Sequence, residues 1–260
     1  MYRPSSRKAR VLRCALAASA FVAAGTSHAQ VTLKPDGEWR YLFTAAANAT
    51  SGNSSSAALN LQFDGARVTS GDKWTFTSQV QTARNNGTRT TERYLAGTQY
   101  NRDISGAIFG FGSGDFLRDE LANLDLRSTF AGGLGYHVFQ SERHTFDVTG
   151  GLAYTQDNYA NPAVIDGQTR TSYGRLELVM GEESNHKLTD TATFQQKLTF
   201  YPNLRDSGQK RAVFDAKVSV AMTKSLNLTA GLSMRYNSDP GLGLKSTDTA
   251  LVTGVSWRFD

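Results

Sequence analysis

Residues Thr249 to Asp260 read TALVTGVSWRFD. The odd positions Leu251, Val255, Trp257 and Phe259 are apolar, whereas Gly254, Ser256 and Arg258 between them are small or polar. Successive side chains of a strand point to opposite faces, so this pattern builds one apolar wall and one wet wall. Such a strand suits a sheet with lipid on one side, and a soluble sandwich with one solvated face also fits it. The rest of the chain has to decide between them.

The opposite end of the chain supports the lipid alternative. Arg3, Arg7, Lys8, Arg10 and Arg13 form a positive head with no acid, Cys14 to Ala24 is a short apolar run, and Ser27-His28-Ala29 is a small-x-small cleavage site. This is the layout of a secretory signal peptide, with cleavage expected after Ala29, so that residues 1–29 are removed and 30–260 form the mature domain. The apolar run is too short to span a membrane as a helix. Cleavage would remove the only cysteine and with it any disulfide, thiolate nucleophile or thiolate metal ligand.

Cleavage also removes the basic charge. Taking five of the 28 Lys and Arg away leaves 23 bases against 23 acids, formally zero. A nucleic-acid partner would want a surviving basic stripe, so that class is excluded. About 230 residues remain, enough for one large domain, and no apolar run approaches the ~18 residues of a spanning helix. A chain whose every second residue faces lipid has the hydropathy of a soluble protein, and the Thr, Gly, Tyr, Phe and Val content here is strand composition.

Twelve segments alternate in this way, separated by Gly-, Asn-, Asp- and Ser-rich turns. The clearest sets Leu124, Leu126, Phe130, Leu134, Tyr136 and Val138 against Asp125, Arg127, Thr129 and His137. An even number of strands, short turns at Ser70, Asn101, Ser141 and Thr223 and longer connections on the other side fit a closed, antiparallel, up-and-down transmembrane β-barrel with both termini in the periplasm. Glu182 to Asp190 is the exception to that asymmetry. Closure requires the first strand, Trp39 to Ala47, to pair with the last, because lipid cannot satisfy an open sheet edge. Trp39, Tyr41, Trp74, Trp257 and Phe259 then fall in an aromatic girdle at one end.

With this topology Gly254, Trp257 and Phe259 take the spacing of the C-terminal signal read by the barrel-assembly machinery, although Asp260 follows the aromatic residue. Ser51-Gly52-Asn53, the Arg118-Asp119 loop running to Leu124 and Arg127, Gly133-x-Gly135-Tyr136, Tyr236-x-Ser238-x-Pro240 and Lys245-x-Thr247-Asp248-Thr249 resemble, in order and spacing, the YdiY-like salt-induced outer-membrane protein family. That resemblance covers most of the mature chain. It implies a fold, an outer-membrane location among lipids and a link to salt or osmotic stress, but no reaction and no cofactor.

The wet face is the candidate site. It is expected to carry Arg40, Lys73, Arg93, Arg127, Arg175, Lys197, Lys217, Arg235 and Arg258 with Asp64, Asp125, Asp147, Glu177 and Asp215. Pairs such as Arg127 with Asp147 and Glu177 with Lys197 would brace the lumen, since charges removed from water must be paired. Unpaired bases would line a narrow path that favours anions. The chain is therefore expected to be a structural barrel or a narrow passive channel. The alternatives are binding or adhesion through the loops Asp115–Asn123, Asp157–Gln168 and Asn237–Ser246, and a lipid-modifying or proteolytic barrel enzyme. The mature histidines, His137, His144 and His186, lack the paired spacing of a metal site, and adjacent Asp119 and Glu120 diverge, so no catalytic, cofactor or metal residue is expected.

Overall fold

In the computed structural model the described residues are 35–51, 55–206, 208–241 and 243–259. The signal peptide with its Ala29 cleavage site, Gly52 and Asn53 of the first turn, and Asp260 lie outside them. The strands are β1 (Trp39–Thr50), β2 (Ser56–Val68), β3 (Asp72–Asn85), β4 (Thr88–Asp103), β5 (Ile108–Asp119), β6 (Leu124–Gln140), β7 (His144–Ile165), β8 (Gln168–Lys187), β9 (Ala192–Pro202), β10 (Lys210–Ala221), β11 (Leu226–Asn237) and β12 (Thr247–Phe259). Each pairs antiparallel with its neighbours in sequence, and β1 pairs with β12 from Tyr41↔Phe259 to Ala45↔Val255, so the sheet closes. Closure gives every strand two partners and leaves no open edge for lipid to face.

Burial is inverted relative to a soluble domain. Among the described residues only seven apolar side chains are buried, whereas fourteen polar or charged ones are, including Thr155, Asp157, Glu177 and Ser256. Large apolar residues stand exposed on the alternate face: Phe130 and Leu134 of β6, Leu152 of β7, Leu176 and Met180 of β8, Leu228 of β11, and Leu251 of β12 at 75 %. An apolar exterior of this extent is stable only where lipid covers it.

The girdle forms at the end that carries the termini. Trp39 stacks on Tyr41, Tyr41 on Phe63, and Trp74 sits 6.0 Å from Trp39 and edge-on to Tyr100. The Trp74 indole N–H donates to Thr98 Oγ1 at 2.8 Å, which satisfies its polar tip in an otherwise apolar setting. Trp257 lies 6.3 Å from Phe43 across the closing seam. Phe76 packs on Gly65 so closely that a Cβ there would come within 2.1 Å of its ring.

Several strands run further than the sequence suggests. The expected loop Asp157–Gln168 is mostly strand: β7 and β8 continue to a two-residue turn, Asp166 (φ 52°) and Gly167 (φ 68°), the left-handed pair of a tight hairpin. A register shift between Asn158 and Ala163 absorbs Pro162. Likewise β8 continues to Lys187, so the anomalous Glu182–Asp190 connection shrinks to residues 188–191. The Asn101–Asp103 turn is the end of β4, and of the expected Asp115–Asn123 loop β5 takes residues up to Asp119 and a 3-10 turn takes Glu120–Ala122. All five connections at the termini end are then three or four residues long.

Candidate functional site

The lumen is built from the face opposite the lipid belt, and its charges gather in two layers. The first, toward the loop end, is on the wall made by β6, β7, β8 and β10. Antiparallel register places Arg127 opposite Asp157, and the guanidinium donates twice to that carboxylate, at 2.6 and 2.7 Å. Arg175 donates to Asp157 at 3.0 Å and to Glu177 at 3.0 Å. Arg211, two strands away, donates to Glu177 at 2.6 and 3.1 Å and to Thr155 Oγ1 at 3.0 Å. Asp157 and Glu177 are each 1 % exposed. Three guanidiniums hold two carboxylates in a dry setting, where charge-assisted, two-pronged bonds of this kind are the strong ones. Tyr173 and Tyr201 cover Arg175 and Arg211 with their ring faces, at 5.5 and 4.7 Å.

The β7–β8 hairpin leans over this layer. Ile165 at its tip is 3 % exposed, and the Asp166 amide donates to Asp239 Oδ2 of the β11–β12 loop, three strands further round, at 3.0 Å. On the other side Asn123 is hydrogen-bonded to the backbone of Asn161 through both its amide nitrogen and its oxygen. Under the hairpin a cavity of about 10 Å³, room for one water, is lined by Ile165, Tyr173, Arg175, Glu177, Arg211 and Asp239, among others. The hairpin is thus tied down over the mouth.

The second layer, toward the termini end, crosses the lumen. Lys73 Nζ on β3 donates to Glu183 Oε1 on β8 at 2.9 Å, and Lys197 Nζ on β9 donates to Gln99 Oε1 on β4 at 3.1 Å. Each bond joins strands five places apart in the closed order. The two are linked, because Lys197 also lies 3.9 Å from the other Glu183 oxygen, and Gln99 donates to Asn101, which stands opposite Lys73. This layer is wet: the side chains of Lys73, Glu183 and Lys197 are 24, 31 and 49 % exposed. At the mouth Arg93 bonds Asp119 and reaches Asp248 on β12 at 3.0 Å, four strands away.

The sequence-derived positions fall as follows. Arg127, Arg175 and Glu177 meet in the first layer, and Lys197 belongs to the second. Asp64 accepts from Gln62 and from Thr77 Oγ1 at 2.7 Å, and Asp215 lies 3.8 Å from Arg235. Lys217 stands opposite Gln195 and Gly231, and Arg258 opposite Leu42. Arg40 turns to Asp36 below β1 and holds that exposed carboxyl down to about 2. Two expected pairs are corrected. Arg127 pairs with Asp157 because the β6–β7 turn reflects it there, while Asp147 is reflected onto His137, 2.7 Å from its Nδ1. Glu177 takes Arg175 and Arg211, and Lys197 faces Glu183 in register. Asp125 is also corrected: a bulge between Leu124 and Leu126 breaks the alternation, and it sits at the rim 3.9 Å from Arg118, more than half exposed. Asp157, Glu183 and Arg211 are absent from the expected set of lumen charges: the first two fall in stretches that read as connections, and Arg211 precedes the clear alternation that starts at Phe214.

Gly254 has a structural duty in the closing seam, where a Cβ would stand 2.5 Å from the Ala45 carbonyl oxygen. His144 and His186 pair across β7 and β8 with Nδ1 atoms 3.1 Å apart, and His137 also lies 3.4 Å from Asp103. Among the described residues no hydroxyl is hydrogen-bonded to the imidazole ring of any of the three histidines, although Ser141 Oγ bonds the His144 main chain, and no three of His, Cys, Asp or Glu gather as metal ligands.

A search of curated proteins returns no match. Among solved structures, the NanC porin aligns with 83 % of this chain and 98 % of its own at TM-score 0.51 and 11 % identity. The translocator domain of the autotransporter NalP from Neisseria meningitidis aligns with 87 % of this chain and 90 % of its own, at TM-score 0.48 and 15 % identity. The first of these likenesses supports the porin-type barrel fold. A model of a family described as "protein of unknown function, DUF481" matches residues 43–259, which contain all of the lumen charges described except Arg40, and the chain belongs to that family.

Proposed function

We propose that this protein is an outer-membrane barrel, with both termini in the periplasm, that acts as a narrow passive channel for small anions and serves the cell under salt or osmotic stress. The observation that carries the channel is the exposure of the crossing layer, whose side chains meet from opposite walls and still remain a quarter to a half exposed. Within the bonded cluster Lys73 and Lys197 outnumber Glu183, and Asp147, in register with Glu183, is held by His137, which favours anions. The exposed apolar exterior and the short termini-end turns support the location and orientation. The salt link comes from the family resemblance. A role without catalysis is favoured because the buried carboxylates are engaged by guanidiniums and the histidines by carboxylates or each other.

Planar-bilayer recording of the refolded mature chain tests the proposal. Discrete steps with a reversal potential on the anion side are expected, and an unbroken baseline would sink the channel in favour of a bracing barrel. A deletion strain should lose viability at high osmolarity relative to its parent, and equal survival would remove the stress role. The assembly tag has its own test: Phe259→Ala should reduce the outer-membrane fraction several-fold while deletion of Asp260 leaves it unchanged. Undiminished insertion of Phe259→Ala would exclude the tag.

A further inference from the structure

We infer that Lys73, Glu183, Lys197 and Gln99 form the selectivity filter of this barrel, with small monovalent anions as its permeant class and Glu183 as the group that limits how tightly an anion is held. The inference rests on the channel function proposed above and locates its specificity in four residues. Three observations converge on them. They come from β3, β4, β8 and β9, and their bonds span the lumen, so a solute passing this level meets their polar atoms. They keep contact with water, unlike the loop-end layer, where Asp157 and Glu177 are closed off beneath the hairpin. Their own charge is two ammoniums against one carboxylate with a neutral amide beside them, a net of one positive, and the neighbouring Asp147 is engaged by His137.

The composition suits conduction better than capture. Two lysines alone would make a site that binds an anion and releases it slowly, whereas a filter must bind weakly enough to let the ion leave. Glu183 lies between them, 2.9 Å from one ammonium and 3.9 Å from the other, and offsets about half of their field. A multivalent anion would need both lysines freed from Glu183 and Gln99 together, so the filter discriminates by valence as well as by sign. Inorganic monovalent ions such as chloride and small monocarboxylates match it.

Glu183→Gln keeps the shape and removes the counter-charge. One unit charge at ~6 Å in a water-filled lumen changes an ion's energy enough for about a threefold effect, in opposite senses for anion and cation. The anion-to-cation permeability ratio in a potassium chloride gradient should therefore rise about tenfold. Lys197→Glu should reverse the preference toward cations. Arg235→Gln, which removes a base nearer the loop end, should shift the ratio several times less. Heat-modifiable gel mobility of each variant establishes that it has folded. Steps whose selectivity ignores Glu183→Gln and Lys197→Glu, or follows Arg235→Gln equally, would overturn the filter and leave the channel standing. Absence of steps in every folded variant would overturn the channel and the filter together.

Discussion

Replacing Asp157 by alanine should destabilise the barrel by about 3–5 kcal/mol, the usual cost of removing one partner from a buried ion network. The magnitude follows from what is left behind. Asp157 accepts two bonds from Arg127 and one from Arg175, and its removal leaves three guanidiniums facing the single carboxylate of Glu177. Arg127, a side chain only 15 % exposed, is then left without the acid it pairs with. Urea unfolding of the refolded protein in detergent provides the measurement. Trp39, Trp74 and Trp257 report it, because all three stand on the outer face and their emission shifts when the apolar surroundings are lost. The double variant Arg127→Leu with Asp157→Leu removes the pair as a unit and should lose much less than the sum of the singles. An Asp157→Ala barrel that unfolds at the wild-type urea concentration would show that the network does not hold this wall.

That network also shows how far the sequence carries. Alternation locates all twelve strands and the face that bears the charges, because a period of two is a local property of the chain. Strand ends are less sharply encoded. The alternation of Tyr154 and Gln156 against Thr155 and Asp157 runs on past the point where Asn158, Asn161 and Pro162 signal a loop, and only the register shift at Asn158 shows that a strand can pass a proline there. Asp157 therefore reads as a loop residue, and Asp147 as the partner of Arg127. Reflection about the turn at 141–143 pairs Arg127 with Asp157 and His137 with Asp147, so this partner was legible once the turn was placed. Lys73 with Glu183 was not. Neighbouring strands are related by their hairpins, but strands five places apart meet only through the closed cross-section, which no local pattern encodes.

Close backbone approach is the other feature that alternation does not reveal, and it predicts a sharp contrast between adjacent glycines. Gly133 of β6 and Gly151 of β7 face each other in register. A Cβ on Gly133 would stand 2.2 Å from the Gly150 carbonyl oxygen and 2.6 Å from the Gly151 Cα, and one on Gly151 would stand 2.2 Å from the Gly132 oxygen. Neither glycine has positive φ, so the requirement is space and not backbone conformation. The obstructing atoms are main chain, which cannot swing aside as a side-chain tip does, so either alanine must prise β6 from β7. The loss should be at least about 3 kcal/mol, the upper end for overpacking. Two residues further along β6 a Cβ on Gly135 would collide with the Phe109 ring, which is buried against His137, so separation there would also release that stack. Gly150, next to Gly151 in sequence but on the opposite face, has nothing within 4 Å of an added Cβ. Gly133→Ala and Gly151→Ala should therefore fail to reach the heat-modifiable folded form, and Gly150→Ala should refold like the parent. Equal refolding of Gly150→Ala and Gly151→Ala would show that β6 and β7 do not approach this closely.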